Sequence, residues 1–333
     1  MSDRSVIRIG CLGAARIAPP ALVHPASVHG GVRLHVVAAR DRQRAEAFAE
    51  EHGFDHVADR YDEVIADPAV DLVYNPLPIN LHAEWSIRAL EAGKHVLCEK
   101  PLAMNLDEAE AAVAAADASG KRLIEAFHYR YHPLFETYLR WLRDGRIGAL
   151  QRIEAAFNAP IDDAGGTEIR HRPETGGGAF MDLGCYPLSW TLMSTPQDPV
   201  TIDASATLTK RGVDESMTVT LVFGDGLEAR LVSSMAMDQQ REMWLKVVGD
   251  AGEIRFDNPL APQIGSRLSL RRGGEQTTAP YDRVTTYFYQ LDTVVRALQS
   301  GQPLPTEGAA ILRQQRLIDA VYDAAGLGSL RRR

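Results

Sequence analysis

Between Val6 and about Ala126 the chain alternates short β-rich runs with longer Ala-, Glu- and Arg-rich segments, and nothing else in it restricts the fold as strongly. The runs are VIRIGCLG, RLHVVAAR, DLVYNPLP, HVLCEKP and RLIEAF. Between them lie RDRQRAEAFAEEHG, NLHAEWSIRALEAGK and NLDEAEAAVAAADASGK, with Gly53, Gly93 and Gly120 where C-terminal helix stops belong. Strand and helix recurring at roughly 25 to 30 residues mark βαβ units on a parallel sheet.

After about Leu150 the texture changes. TIDASATLTK, ESMTVTLVFG, GLEARLVSSM, MWLKVVGDAGEIRF and RLSLRRGG alternate with period two, which predicts a mostly antiparallel sheet. GDG at 224–226 and GDAG at 249–252 punctuate hairpins. Helical patterning returns from about Thr285 to Ser300 and from Ala309 to Ala325. A chain of 333 residues exceeds what one core usually serves. The expected plan is an α/β domain over 1–126 and an α+β domain over 127–333.

The formal net charge of −8 leaves no basic stripe for nucleic acid or anionic lipid, and the closing Arg331-Arg332-Arg333 is too short to make one. Cys11, Cys98 and Cys185 are odd in number and far apart, against both a disulfide framework and a zinc site. The N-terminus shows no signal-peptide pattern and no apolar run reaches about 18 residues, so a cytoplasmic location without membrane contact is expected. His24, His29, His35, His52 and His56 show no metal-binding spacing and read as scattered surface residues. No G-x-S-x-G elbow is present.

The turn after the first run reads Gly13-Ala14-Ala15-Arg16-Ile17-Ala18, a G-x-G-x-x-G window with Ala at the second and third glycine places. Glycine there makes a tight turn, and small residues let backbone amides approach a pyrophosphate. An ordinary strand-to-helix turn is the other reading. At the tip of the second run, Arg40 suits a 2′-phosphate and favours NADP; a solvated charge at a helix start is its plain alternative. Asp41 is an N-cap candidate whose nearness keeps NAD possible. In MDLGCYP at 181–187, Asp182 and Tyr186 stand four apart on one helical face, with Cys185 beside them.

DLVYNPLPINLHAEW, AGKHVLCEKPLA, EAFHYRYHP and GGGAFMDLGCYPL, in that order, resemble the glucose-fructose oxidoreductase, inositol dehydrogenase and MocA-like family. The similarity runs essentially end to end. It implies an N-terminal Rossmann domain, a C-terminal open-faced sheet, NAD(P)-dependent oxidation of sugars or related alcohols, and a homodimer or homotetramer formed through that sheet. GAARIA, EAFHYRYHP and DLGCYP are most similar to the sub-group of sugar oxidoreductases, D-xylose dehydrogenases and dihydrodiol dehydrogenases. Inositol dehydrogenase-like members usually carry His where this chain has Tyr186.

Within that resemblance Tyr186 is expected to exchange a proton with the substrate oxygen, and Lys100 to lower its pKa, because an unassisted phenol is a poor base at neutral pH. Asp182 would orient a substrate hydroxyl or Lys100. Cys185 reads as packing. The resemblance also implies a cis bond between Lys100 and Pro101. It puts Pro76, Leu77, Asn80 and His82, with Glu99 and Lys100, at the nicotinamide; His82 could equally cap the next helix. Phe127, Arg130, Tyr131 and His132 would face the cleft, where Arg130 or His132 would contact substrate hydroxyls or form a structural salt bridge, and Arg170 or Arg172 would bind a polar or acidic substrate or brace the loop. Two other functions stay open: a non-catalytic nucleotide- or sugar-sensing protein, and a sugar–sugar oxidoreductase or redox-assisted glycoside elimination with retained cofactor.

Overall fold

The computed structural model describes residues 6–330; residues 1–5 and the closing Arg331-Arg332-Arg333 lie outside the described residues. The chain divides into two compact units. One comprises residues up to His128 with Thr285–Leu312, the other Tyr129–Val284 with the described residues from Arg313 on. The segment 285–312 therefore lies with the first unit, although the expected division at 126/127 groups it with the second.

The first unit contains strands β1 (Ile7–Leu12), β2 (Val32–Ala38), β3 (His56–Ala58), β4 (Leu72–Asn75), β5 (His95–Cys98) and β6 (Leu123–Glu125). They form one parallel sheet in the order β3-β2-β1-β4-β5-β6. All four residues of β4 and all three of β6 are buried, which is why these runs read as continuous rather than alternating. The helices are α1 (His24–Val28), α2 (Arg42–His52), α3 (Tyr61–Ala66), α4 (His82–Glu91) and α5 (Leu106–Ser119). Asp41 caps α2 by accepting from Arg44 N at 2.9 Å, and Asn105 caps α5 from Glu108 N at 3.0 Å. Gly53, Gly93 and Gly120 follow α2, α4 and α5 in left-handed conformations, as the sequence predicts. The sheet order reverses between β1 and β4, and the carboxyl ends there are where open α/β sheets bind ligands.

The second unit carries α6 (Pro133–Arg143), β7 (Leu150–Asn158), α7 (Cys185–Ser194), β8 (Pro199–Leu208), β9 (Asp214–Phe223), β10 (Glu228–Ser234), β11 (Glu242–Gly249), β12 (Glu253–Asp257), β13 (Arg267–Arg272) and β14 (Glu275–Thr278). Their sheet runs β14-β13-β12-β11-β7-β10-β9-β8, antiparallel except where β7 pairs with β10. The alternation places Val219, Leu221, Leu231, Leu245 and Val247 inside. β7 escaped the period-two reading because Ala155 through Asn158 are all buried, and β14 because it is wholly exposed.

Two further helices follow, α8 (Thr286–Ser300) and α9 (Ala309–Ala324). α8 packs on α1 within the first unit. There Arg122 holds Glu307 through two hydrogen bonds of 2.6 Å and donates to Ala297 O at 2.8 Å. Two of the histidines expected at the surface are in fact engaged. His35 Nε2 lies 3.0 Å from Asp67, and His29 lies 3.4 Å from Asp292 and packs on Phe288. No helix of the described residues is long and apolar enough to cross a membrane.

Candidate active site

In the first unit the candidate cofactor residues gather at the carboxyl edge of the parallel sheet. Gly13 follows β1 with φ of 101°, and a Cβ there would lie 3.3 Å from Leu77 and 3.8 Å from the Tyr61 hydroxyl. Glycine alone suits both that backbone and that space. Ala14, Ala15 and Ile17 are half-buried, and Arg16 and Arg40 are exposed. Arg44, which the sequence reading passed over, donates from Nη2 to Ala14 O at 2.9 Å and so ties the turn to α2. Its position one turn into a capped helix was the available signal. Tyr61 was also missed; burial raises its pKa, and its ring stands edge-on to Trp85 at 5.0 Å.

Beyond β4, Pro76 and Leu77 are buried, while Asn80 is exposed on a short 3-10 turn. His82 begins α4 and is 1% exposed. Its Nδ1 lies 2.8 Å from Pro101 O and its Nε2 2.6 Å from Leu77 O. Both ring nitrogens face backbone carbonyls, and the neutral ring donates to one of them. Burial pushes its pKa down to about 4, outweighing the two carbonyls, and the Lys100 charge acts in the same direction.

The Lys100–Pro101 bond is cis. Lys100 is half-buried two residues beyond β5, and Glu99 before it accepts from the Tyr74 hydroxyl at 2.7 Å. Burial, then the Glu99 charge, raises the pKa of Tyr74 and likewise that of Tyr287. Phe127, expected to face the cleft, is 1% exposed and belongs to the core. The thiols of Cys11 and Cys98 are pushed up by burial, and all three cysteines are buried and outside any disulfide.

In the second unit the MDLGCYP stretch is not a plain α-helix. Phe180–Gly184 is a π turn that leads into α7, with Asp182 in the first and Tyr186 in the second. Gly184 permits this, since a Cβ there would come within 2.8 Å of Ser233 Oγ on β10. Tyr186 is 6% exposed, and its ring centroid lies 5.6 Å from Phe157, 6.1 Å from Tyr129 and 6.4 Å from Trp190. Tyr129 donates its hydroxyl to Ser189 at 2.8 Å, which fixes the wall behind Tyr186.

Asp182 accepts from Arg170 Nε at 2.6 Å, and Arg170 also reaches Glu168 at 3.0 Å. The Asp182 charge, more than the burial opposing it, raises the Arg170 pKa. Arg170 thus faces two carboxylates, which fits the alternative in which it braces the loop. His132 caps α6 through Nδ1, accepting from Leu134 N at 3.0 Å, its Nε2 lies 3.6 Å from Asp282, and burial lowers its pKa. Arg130 is half-buried beside Tyr129. Cys185 is buried against Asp182 O at 3.6 Å. Among the described residues no three His, Cys, Asp or Glu side chains gather in a metal-binding group.

Comparison with known proteins identifies both halves. Residues 7–127 match the oxidoreductase family with an NAD-binding Rossmann fold, and residues 135–255 match the GFO/IDH/MocA C-terminal domain. The chain is 32% identical to an NADP-dependent D-xylose 1-dehydrogenase of Haloferax volcanii over 96% of its length and 98% of the relative's. An aldose–aldose oxidoreductase from Caulobacter crescentus, solved with glycerol, superposes with a TM-score of 0.88 at 25% identity, covering 97% and 98% of the two chains. A 3-ketoreductase from Actinomadura kijaniata, solved with NADP and TDP-benzene, does so at 0.88 and 28%, covering 96% and 98%. The chain belongs to the GFO/IDH/MocA oxidoreductase family.

Proposed function

We propose that the protein is an NADP-preferring dehydrogenase or reductase of a sugar or related polyhydroxy cyclic compound, with Tyr186 as its acid/base and Lys100 as the assisting cation. The observation that carries this reading is Lys100 itself, set by a cis-proline loop just past the carboxyl end of β5, in the half of the chain that matches the NAD-binding family. Gly13 offers a cradle that a Cβ would crowd, and Arg40 carries no ion pair among the described residues. Both features fit a dinucleotide with a 2′-phosphate. The relatives named for NADP support the preference.

When bound, the nicotinamide accepts the hydride in oxidation and donates it in reduction. Tyr186 takes the hydroxyl proton as hydride leaves the same carbon, and returns it in the reverse direction. A free phenol titrates near about 10, and each unit of depression favours phenolate by about 1.4 kcal/mol. In this proposal the Lys100 ammonium is assigned to supply that depression and to hydrogen-bond the substrate oxygen. The aromatic wall of Tyr129, Phe157 and Trp190 fixes the phenol and keeps water from its face. Asp182, held by Arg170, sets the turn from which Tyr186 projects. With substrate and cofactor saturating, Tyr186→Phe and Lys100→Met should each lower kcat by about 100-fold or more. Near-normal kcat in both variants would refute the assignment. Crystal structures of the Actinomadura ketoreductase include a tyrosine-to-phenylalanine variant and lysine variants, which supports the choice of residue types.

A second reading, oxidoreduction between two sugars on a retained cofactor, is favoured by the similarity to the aldose–aldose oxidoreductase. Protein that keeps its nicotinamide through gel filtration would select it. For assembly, the outward face of β11–β13 suits a homodimer: Arg255 lies over Trp244 at 4.1 Å, and Lys246 and Arg271 share Glu253 at 3.0 and 3.4 Å. Sedimentation at micromolar protein should give a species of twice the chain mass or a multiple of it, and a monomer throughout that range would exclude this contact.

A further inference from the structure

Two half-buried arginines of the second unit have no carboxylate partner among the described residues, and both belong to segments that adjoin the surroundings of Tyr186. Their neighbours show what partnered arginines look like here. Arg170 is bonded to Asp182 and Glu168, and Arg211 lies 3.3 Å from Asp163. Arg172 instead donates from Nη2 to Gly166 O at 2.7 Å, and its Nε is buried without an acceptor. Arg130 also has a buried Nε without an acceptor. In a chain with 44 acidic against 36 basic residues, partners are not scarce.

Their positions tie both to the site. Arg172 O accepts from Gly177 N at 2.9 Å and would stand 2.7 Å from a Cβ at 177, so the residue is seated against the glycines that open the Asp182 turn. Arg130 follows Tyr129, whose ring packs on Tyr186. A guanidinium drawn partly out of water without a counter-ion is costly, and a ligand oxyanion that meets its fork removes that cost. We infer that the substrate carries an oxyanion, phosphoryl or carboxylate, which Arg172 and Arg130 hold while the reacting carbon is presented to Tyr186. This rests on the reading of Tyr186 as the acid/base. It places the anion-binding role on Arg172 rather than on Arg170, whose charge already faces Asp182 and Glu168.

The test compares glucose, glucuronate, glucose 6-phosphate and dTDP-glucose with NADP+, on the wild type and on Arg172→Gln, Arg130→Gln and Arg172→Lys. Thermal unfolding with each compound, without cofactor, runs alongside. One anionic compound should show a KM at least about tenfold below that of glucose. The Gln variants should raise that KM by about 10- to 100-fold, more than they raise the KM for glucose, and Arg172→Lys should recover part. Which anion wins separates carboxylate from phosphoryl and a free phosphate ester from a nucleotide. If nothing is turned over, yet an anion raises the unfolding temperature of the wild type and not of Arg172→Gln, the oxyanion site stands and the oxidoreductase reading falls. Turnover of glucose as good as that of every anion overturns the oxyanion site and leaves the oxidoreductase. So does the absence of any thermal shift from the anions.

Discussion

Arg40 and Asp41 are neighbours with different fates, and the difference bears on the cofactor. An acid at this tip takes ribose hydroxyls in NAD-specific sites. Both are exposed, but Asp41 is engaged at the start of α2, accepting from Arg44 N, while Arg40 has no ion pair among the described residues. The carboxylate is spent on a helix cap and the guanidinium faces solvent. Removing a charge-assisted contact to a phosphate costs about 1.5–3 kcal/mol. Arg40→Asp should therefore raise the KM for NADP by about 10- to 100-fold, with the KM for NAD unchanged or lowered. A KM for NADP that does not move would mean that the 2′-phosphate is held elsewhere. Arg44 is no substitute target, since its guanidinium braces Ala14 O and its loss would disturb both cofactors alike.

The helix that carries Tyr186 is gripped along its length by distant elements. At its start the buried Asp214 of β9 accepts from Phe180 N at 2.6 Å and from the Tyr322 hydroxyl at 2.7 Å. In its middle Gln314 donates to Cys185 O at 2.9 Å, and near its end Arg313 donates to Leu192 O at 3.0 Å. A carboxylate at the amino end and a guanidinium at the carboxyl end both match the helix dipole. α9 thus supplies three of the side chains that hold this segment. None of this was legible in MDLGCYP, because the partners lie about thirty to 140 residues away and only the fold brings them in. The regular elements were legible, since period and punctuation are local: β1, β2 and α8 stand where their patterns put them. The π turn was not, because it depends on how closely Gly184 approaches Ser233. Lys100 and Tyr186 were readable as candidates from residue type and order alone. The pairing of Arg170 with Asp182 and Glu168, which leaves Arg172 without a carboxylate, appears only in three dimensions.

Across the whole molecule, pH should act through histidines folded in their neutral form. His82 and His128 are 1% and 4% exposed, and burial pushes their pKa values down to about 4 and about 3. The nearby Lys100 charge lowers both further. In the unfolded chain each regains its ordinary value near about 6.5. As pH falls below that value the unfolded state takes up protons that the folded state refuses, so stability declines until the folded pKa is reached. Each histidine contributes about 1.4 kcal/mol per pH unit in this window, so the pair should remove roughly 4 kcal/mol between pH 6.5 and pH 5. His95, also lowered to about 4 but partly exposed, adds less. The carboxylates do not offset this. Asp55 and Asp67 have lowered pKa values, so their stabilisation persists above the ordinary carboxylate range and is lost only below it. Against a total of about 5–15 kcal/mol for a typical domain, such a loss is decisive. Urea unfolding at pH 7, 6 and 5 should show the decline, and His128→Asn should make it shallower by about one proton's worth. A flat profile from pH 7 to 5 would mean that these rings take up protons in the folded protein as readily as in the unfolded chain. In that case the carbonyls at both nitrogens of His82, rather than its burial, would govern its charge.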